Sequence, residues 1–298
     1  MSAEGHVPAP PGDFVLPFDL PAAGMRGRIV RLDAVSARAL SAHALGEAPS
    51  RVLGETLALS VILGTALKLD GRLSVQTKSG GALDLVAADY YGAEDGKPKG
   101  VRGFARMKES AQATAFADLV GKGSLAITIE PRAGGQTYQG ITALAPEGIA
   151  ASAEAYFAQS EQLPTALRLS AAPLFEVGKT GPQWRAAGIM LQVTPDAKRA
   201  HDDWERLSMI LKTTEDLELL DTGLAAETLL WRLFNEDEVR VLPAEPIAFR
   251  CDCDTARIAA VLRSYAPEDR AGLADTDGVI RARCEFCGTV HEIAPGTL

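Results

Sequence analysis

Every cysteine in the chain falls in its last part, as Cys251-Asp252-Cys253 and, thirty residues further on, Cys284-Glu285-Phe286-Cys287-Gly288. Zinc takes four soft ligands in a tetrahedron, and two short cysteine pairs from separate chain segments supply that set. The spacing therefore predicts one tetrathiolate zinc site made by Cys251, Cys253, Cys284 and Cys287. Gly288 follows the second pair, where a knuckle needs a tight turn. The one-residue gap of the first pair is unusual for a purely structural finger. Between the pairs, Asp254 is expected to cap a helix carrying Ile258, Val261, Leu262 and Tyr265, stopped by Pro267. His291 is a spare candidate ligand, read as a surface bystander beside a complete set of four thiolates.

Such a site has energetic consequences. The C-terminal module, placed at 247–298, holds few large apolar residues. Zinc contributes about 10–16 kcal/mol to the folding of small zinc modules, against a net stability of about 5–15 kcal/mol for a whole domain. Oxidising the thiolates removes the ligands, which in so small a module amounts to local unfolding. Arg250, Arg281 and Arg283 are expected to favour thiolate character, partly offset by Asp252, Asp254 and Glu285. The residues leave two uses of the metal open, a structural clip and a redox switch.

Upstream, the chain is long and apolar enough for a real core, with 298 residues, 47% of them hydrophobic. Residues 1 to about 13, rich in proline and glycine, are expected to be loose. "MRGRIVRLD" reads as a strand, and a helical stretch follows from Ser36 to Leu69, punctuated by Pro49. Its second half, "LGETLALSVILGTALKL", is apolar nearly all round, the mark of a helix inside a core. "GRLSVQTK" and "ALDLVAADYY" flank Gly80-Gly81, and "GSLAITIEP" and "QTYQGITAL" flank Gly134-Gly135; both pairs predict hairpins. A helix is expected from Ala151 to Gln162, ending before Pro164, then a strand at "WRAAGIMLQVTP". Helices and strands segregate rather than alternate, so the expected class is α+β, a large N-terminal sheet-and-helix domain at 14–195.

After Pro195 the composition shifts. Between Asp196 and Arg240 there are 12 acidic and 6 basic residues. Apolar residues survive as stripes, Trp204, Leu207 and Leu211, then Leu230, Leu233 and Phe234, at the spacing of short amphipathic helices. A helical, charge-rich linker at 196–246 is expected. It reads equally as a solvated helical layer or as a marginal segment that depends on docking.

With these residues in view, the chain resembles the bacterial redox-regulated holdase family, heat shock protein 33. The Cys-x-Cys and Cys-x-x-Cys pairs carry the resemblance, together with "YFAQSEQLPT" (Tyr156 to Thr165), "LKLDGRLSVQT", "VRGFAR", "GKGSLAITIEP" with "YQGI", and "LLWRLFNEDEVRVL". It extends from about Phe14 to Ile293. The resemblance implies an ATP-independent chaperone rather than an enzyme, zinc-bound and inactive when reduced. It implies that oxidants pair Cys251 with Cys253 and Cys284 with Cys287, that zinc leaves, and that module and linker unfold. The active form would be a homodimer that holds unfolding client proteins. The stripes Trp204, Leu207, Leu211, Leu230, Leu233 and Phe234 are candidate client-binding residues, as is the N-terminal sheet they would cover; the same stripes also read as plain packing contacts. Asp252 and Asp254 stand where smaller polar residues are common, and His291 where an aromatic is usual; none of these departures removes a ligand.

Other classes find less support. A net charge of −9 argues against a nucleic-acid surface and so against a zinc-ribbon regulator. A thiol-disulfide oxidoreductase would open a helix with Cys284-x-x-Cys287, whereas "IRARCEFCGTVHEI" reads as strand, turn, strand. "LVGKGS" around Lys122 lacks the Walker spacing and reads as the start of a strand. No HExxH or GxSxG occurs. The N-terminal "MSAEGHVPAPPGDF" has no apolar stretch for a signal-peptide core and no run approaches eighteen apolar residues, so a cytoplasmic location and no membrane partner are expected.

Overall fold

A computed structural model of the chain describes residues 12–94, 96–108, 112–132, 134–175, 181–195 and 200–294. The expectation for residues 1 to 13 falls almost wholly outside these. The chain divides into two compact units, Met1–Phe249 and Arg250–Leu298.

The first unit begins with an antiparallel pair, β1 (Phe14–Leu20) and β2 (Met25–Leu32), followed by α1 (Ala34–Ser41) and α2 (Glu47–Ala66). The expected break at Pro49 lies elsewhere: the helices part at Ala42–Gly46, and Pro49 sits in the first turn of α2, where a missing N–H costs nothing. Five strands and a short helix come next: β3 (Gly71–Ser79), β4 (Leu83–Tyr91), β5 (Gly100–Met107), α3 (Phe116–Val120), β6 (Gly123–Pro131) and β7 (Tyr138–Ala143). Both expected hairpins are present, β3 with β4 and β6 with β7. Then α4 (Ile149–Tyr156) loosens into a π-turn at Phe157–Glu161, and β8 (Thr165–Leu174) and β9 (Gln183–Val193) return to the first pair. Three helices, α5 (Ala200–Lys212), α6 (Asp216–Leu220) and α7 (Ala226–Phe234), precede the two-residue strands β10 (Arg240–Val241), β11 (Glu245–Pro246) and β12 (Ala248–Phe249).

These strands form two six-stranded sheets. One runs β10-β1-β2-β9-β8, with β11 also on β1; the other runs β12-β5-β4-β3-β6-β7. The class is α+β, as expected. Helix α2 lies between the sheets, packed on β4 and β5 of one and β8 and β9 of the other. That is why it is apolar nearly all round: Leu53, Leu57, Leu59, Val61 and Ile62 are all inaccessible. The fit is tight enough that a Cβ on Gly64 would stand 2.0 Å from the Tyr90 ring.

The sheet containing β1 is covered on both faces. Val15 and Val30 point into the core shared with α2, while Phe14, Leu16, Phe18, Leu20 and Ile29 face the opposite way. On that second face lie Leu207, Leu211, Leu219, Leu220, Leu229, Leu230 and Phe234, so α5, α6 and α7 form a lid over it. The segment expected as a linker, 196–246, thus lies inside the first unit, and the chain divides at Phe249; residues 196–199 are outside the described set. Among the described residues, no helix is long and apolar enough to cross a membrane.

Candidate metal centre

The second unit is built around its cysteines. After Cys251 and Cys253 comes α8 (Thr255–Arg263), then α9 (Pro267–Gly272) and a hairpin of β13 (Ile280–Arg283) with β14 (Val290–Ile293). The Asp254 cap is present: its Oδ1 accepts from the Arg257 N–H at 2.7 Å. Cys284, Cys287 and Gly288 make the turn of the hairpin. The Gly288 N–H donates to the Cys284 carbonyl and the Cys284 N–H to the Thr289 carbonyl, each at 2.9 Å. Gly288 has φ +73, a left-handed backbone that suits glycine.

This turn and the segment before α8 bring the four sulfurs together. Cys251 Sγ lies 3.7 Å from Cys284 Sγ, and Cys253 Sγ 3.4 Å from Cys287 Sγ. All four ligand atoms are within 4.8 Å of one another. Cys287 is buried, and Cys251, Cys253 and Cys284 are partly exposed. The thiols are not equivalent. Burial pushes Cys251 and Cys253 up, Cys253 most, with neighbouring thiols adding to the rise at Cys253. At Cys287 burial acts the same way but is outweighed by the hydroxyl and amide of Thr289 and by its sulfur neighbours, which bring it down to about 6. The Thr289 hydroxyl stands 3.2 Å from the Cys287 sulfur. Four sulfurs so placed could hold a metal ion.

Residues 13–294 match the Hsp33 protein family. The chain belongs to the Hsp33 family. It is 36% identical to the 33 kDa chaperonin of Caulobacter vibrioides (strain NA1000 / CB15N) over 95% of both chains. It is 35% identical to that of Vibrio cholerae serotype O1, covering 90% of this chain and 87% of the relative. The solved structure of the Thermotoga maritima 33 kDa chaperonin, titled a heat shock protein 33 homolog, shares the fold, with a TM-score of 0.78 over 95% of each chain at 20% identity.

In this Hsp33 family member the surroundings of the cysteines differ from expectation in three ways. His291, expected at the surface, is buried; its Nδ1 is 3.2 Å from the Thr255 hydroxyl, and the ring lies outside the sulfur cluster. Val261 and Tyr265 are exposed, and α8 ends at Arg263, so the inward face is Ile258, Ala259 and Leu262. Arg250 and Arg281, expected to favour thiolate, are engaged by carboxylates: Arg250 by Asp252, and Arg281 by Asp275, Asp277 and Glu292. Thr289 is the functional neighbour that sequence reasoning missed; its only signal is a polar residue just past the turn glycine. Of the candidate client-binding residues, Leu207, Leu211, Leu230 and Phe234 are inaccessible, and Trp204 and Leu233 are partly buried beside them.

Proposed function

We propose that this chain is a redox-regulated, ATP-independent holdase chaperone, zinc-bound and inactive when reduced. One observation carries the reading: four sulfurs converge in a unit whose buried apolar core, among the described residues, is Ala259, Leu262, Ile280 and Ile293. Thiolates each about 2.3 Å from a tetrahedral zinc stand roughly 3.8 Å apart, close to the 3.7 and 3.4 Å separations here. Held by Cys251, Cys253, Cys284 and Cys287, a zinc ion would tie the hairpin turn to the segment before α8 and would supply about 10–16 kcal/mol that so small a core lacks.

The remaining steps belong to the protein. In each pair, Cys251 with Cys253 and Cys284 with Cys287, the two thiolates would give two electrons to a peroxide and close an S–S bond, while the peroxide O–O bond breaks and takes two protons from solvent to leave as two waters. Three of the four cysteines are partly exposed, which gives a small oxidant a way in. Disulfide sulfur is a poor ligand, and the second unit unfolds. Helices α5 to α7, short and dependent on docking, then release the apolar face of Phe14, Leu16, Phe18 and Ile29. That face and the stripes Trp204, Leu207, Leu211, Leu230, Leu233 and Phe234 bind unfolding proteins, and the oxidised chain acts as a homodimer. The protein is a cytoplasmic stress-response chaperone rather than an enzyme, and it takes neither nucleic acid nor membrane as partner.

The test is light scattering of a heat-unfolding client with ATP absent, using reduced, zinc-loaded chain and peroxide-treated chain. Suppression of aggregation by the oxidised form alone is the expected result. Equal protection by both forms sinks the switch.

A further inference from the structure

Past the C-terminal end of α2, the core between the two large sheets is left open. The cavity has a volume of about 290 Å³, near the lower end of the roughly 300–1,000 Å³ usual for small-molecule sites. Leu63 of α2 and Leu67 just past its end, Ile127 and Ile129 of β6, Met190 of β9 and Phe157 of the π-turn give it apolar walls. Leu67 is 52% exposed and Tyr138 43%, so the cavity meets solvent on their side. Water inside apolar walls finds few hydrogen-bond partners, whereas an alkyl chain is stabilised there by losing its hydration.

The polar groups on the rim are arranged unequally. Glu161 already accepts from two phenols, Tyr156 at 2.8 Å and Tyr138 at 3.2 Å. Burial, and then these same contacts, push the Tyr156 phenol far up, so it remains a neutral donor. Arg26 has no such match. Its Nε and Nη2 both donate to Gln192 Oε1, at 3.3 and 2.8 Å, and among the described residues no carboxylate pairs with it. Gln192 is held in turn, its Nε2 donating to the Thr165 hydroxyl at 2.9 Å, which fixes its oxygen toward Arg26. The nearby Arg28 adds charge of the same sign. The wall closest to Glu161 is also locally unusual, a π-turn ended by Gln162 in a left-handed backbone at φ +53. Such features cluster at functional sites.

We propose that this cavity binds a single-chain carboxylate, a fatty acid of medium length, with its chain between the sheets and its head group on Arg26. The site is independent of the cysteines, so its failure would leave the redox reading untouched. The test is calorimetric titration of the reduced, zinc-loaded full chain with decanoate, decanol and decylammonium, each below its micellar concentration. Decanoate is expected to bind at least tenfold more tightly than either of the others. Arg26→Gln should bring decanoate to the level of decanol, and Ala66→Phe, which fills the cavity from α2, should weaken all three tenfold or more. Equal affinities for the three head groups overturn the proposal. So does decanoate binding that survives Arg26→Gln unchanged, or that survives Ala66→Phe in protein whose circular dichroism remains native.

Discussion

Glu55 shows how much one position can hold against the fold. It lies on α2, and burial pushes its carboxyl up to about 7, with Arg51 opposing, Asp216 adding and Arg168 opposing. The fold thus favours the protonated acid. At pH below the unfolded value of 4.5 the group costs nothing, and the cost grows as pH rises from there to about 7. Glu55→Gln is therefore expected to stabilise the reduced protein at pH 8 by up to about 3 kcal/mol and to leave it unchanged at pH 4. Thermal unfolding at the two values checks this, and a gain of equal size at both would contradict it. Other residues divide by how local their roles are. Asp254 and Gly288 were legible because a cap and a left-handed turn are set by a few neighbours along the chain. His291, Val261 and Tyr265 were not, because whether a side chain points inward depends on where α8 ends and what it packs on.

Among the elements, α7 is the clearest case of a role that periodicity found only in part. The stripe of Leu230, Leu233 and Phe234 announced a helix with one apolar face. What it covers, the β1–β2 face, was not legible, since β1 escaped notice: "FVLPFDL" carries Pro17 and is buried on both sides, so it shows no clean alternation. Strands β5 and β8 hid for related reasons, the first carrying Gly103 within it and the second rich in alanine and ending toward Pro173. Phe234 stacks on Phe18 with ring centroids 6.0 Å apart, and both are inaccessible. Phe234→Ala is expected to cost about 3–5 kcal/mol and to loosen the lid. In reduced protein this should appear as a lower melting temperature together with stronger binding of an environment-sensitive apolar dye. A variant that melts earlier without any gain in dye signal would mean that the lid does not open before the unit unfolds.

At the scale of the whole molecule, the two units rest on different supports. The first has two sheets closed over α2; the second has, among the described residues, a core cluster of Ala259, Leu262, Ile280 and Ile293 beside the sulfur cluster. Chelating the metal under reducing conditions is therefore expected to abolish hydrogen-exchange protection in β13 and β14 while β3 and β6 keep theirs. Protection in β13 that outlasts the metal would refute the dependence. The four candidate ligands could be picked out from the chain alone, because soft-ligand chemistry and short spacing are written within a few residues. So were the buried character of α2 and the two hairpins, which follow from periodicity and glycine turns. Only the tertiary structure decided which face of which sheet the acidic segment after Pro195 closes over, that Thr289 stands by Cys287, and that an open cavity lies beside Arg26. Each of those depends on contacts between residues far apart in the chain, and no local pattern records which distant surface a side chain will meet.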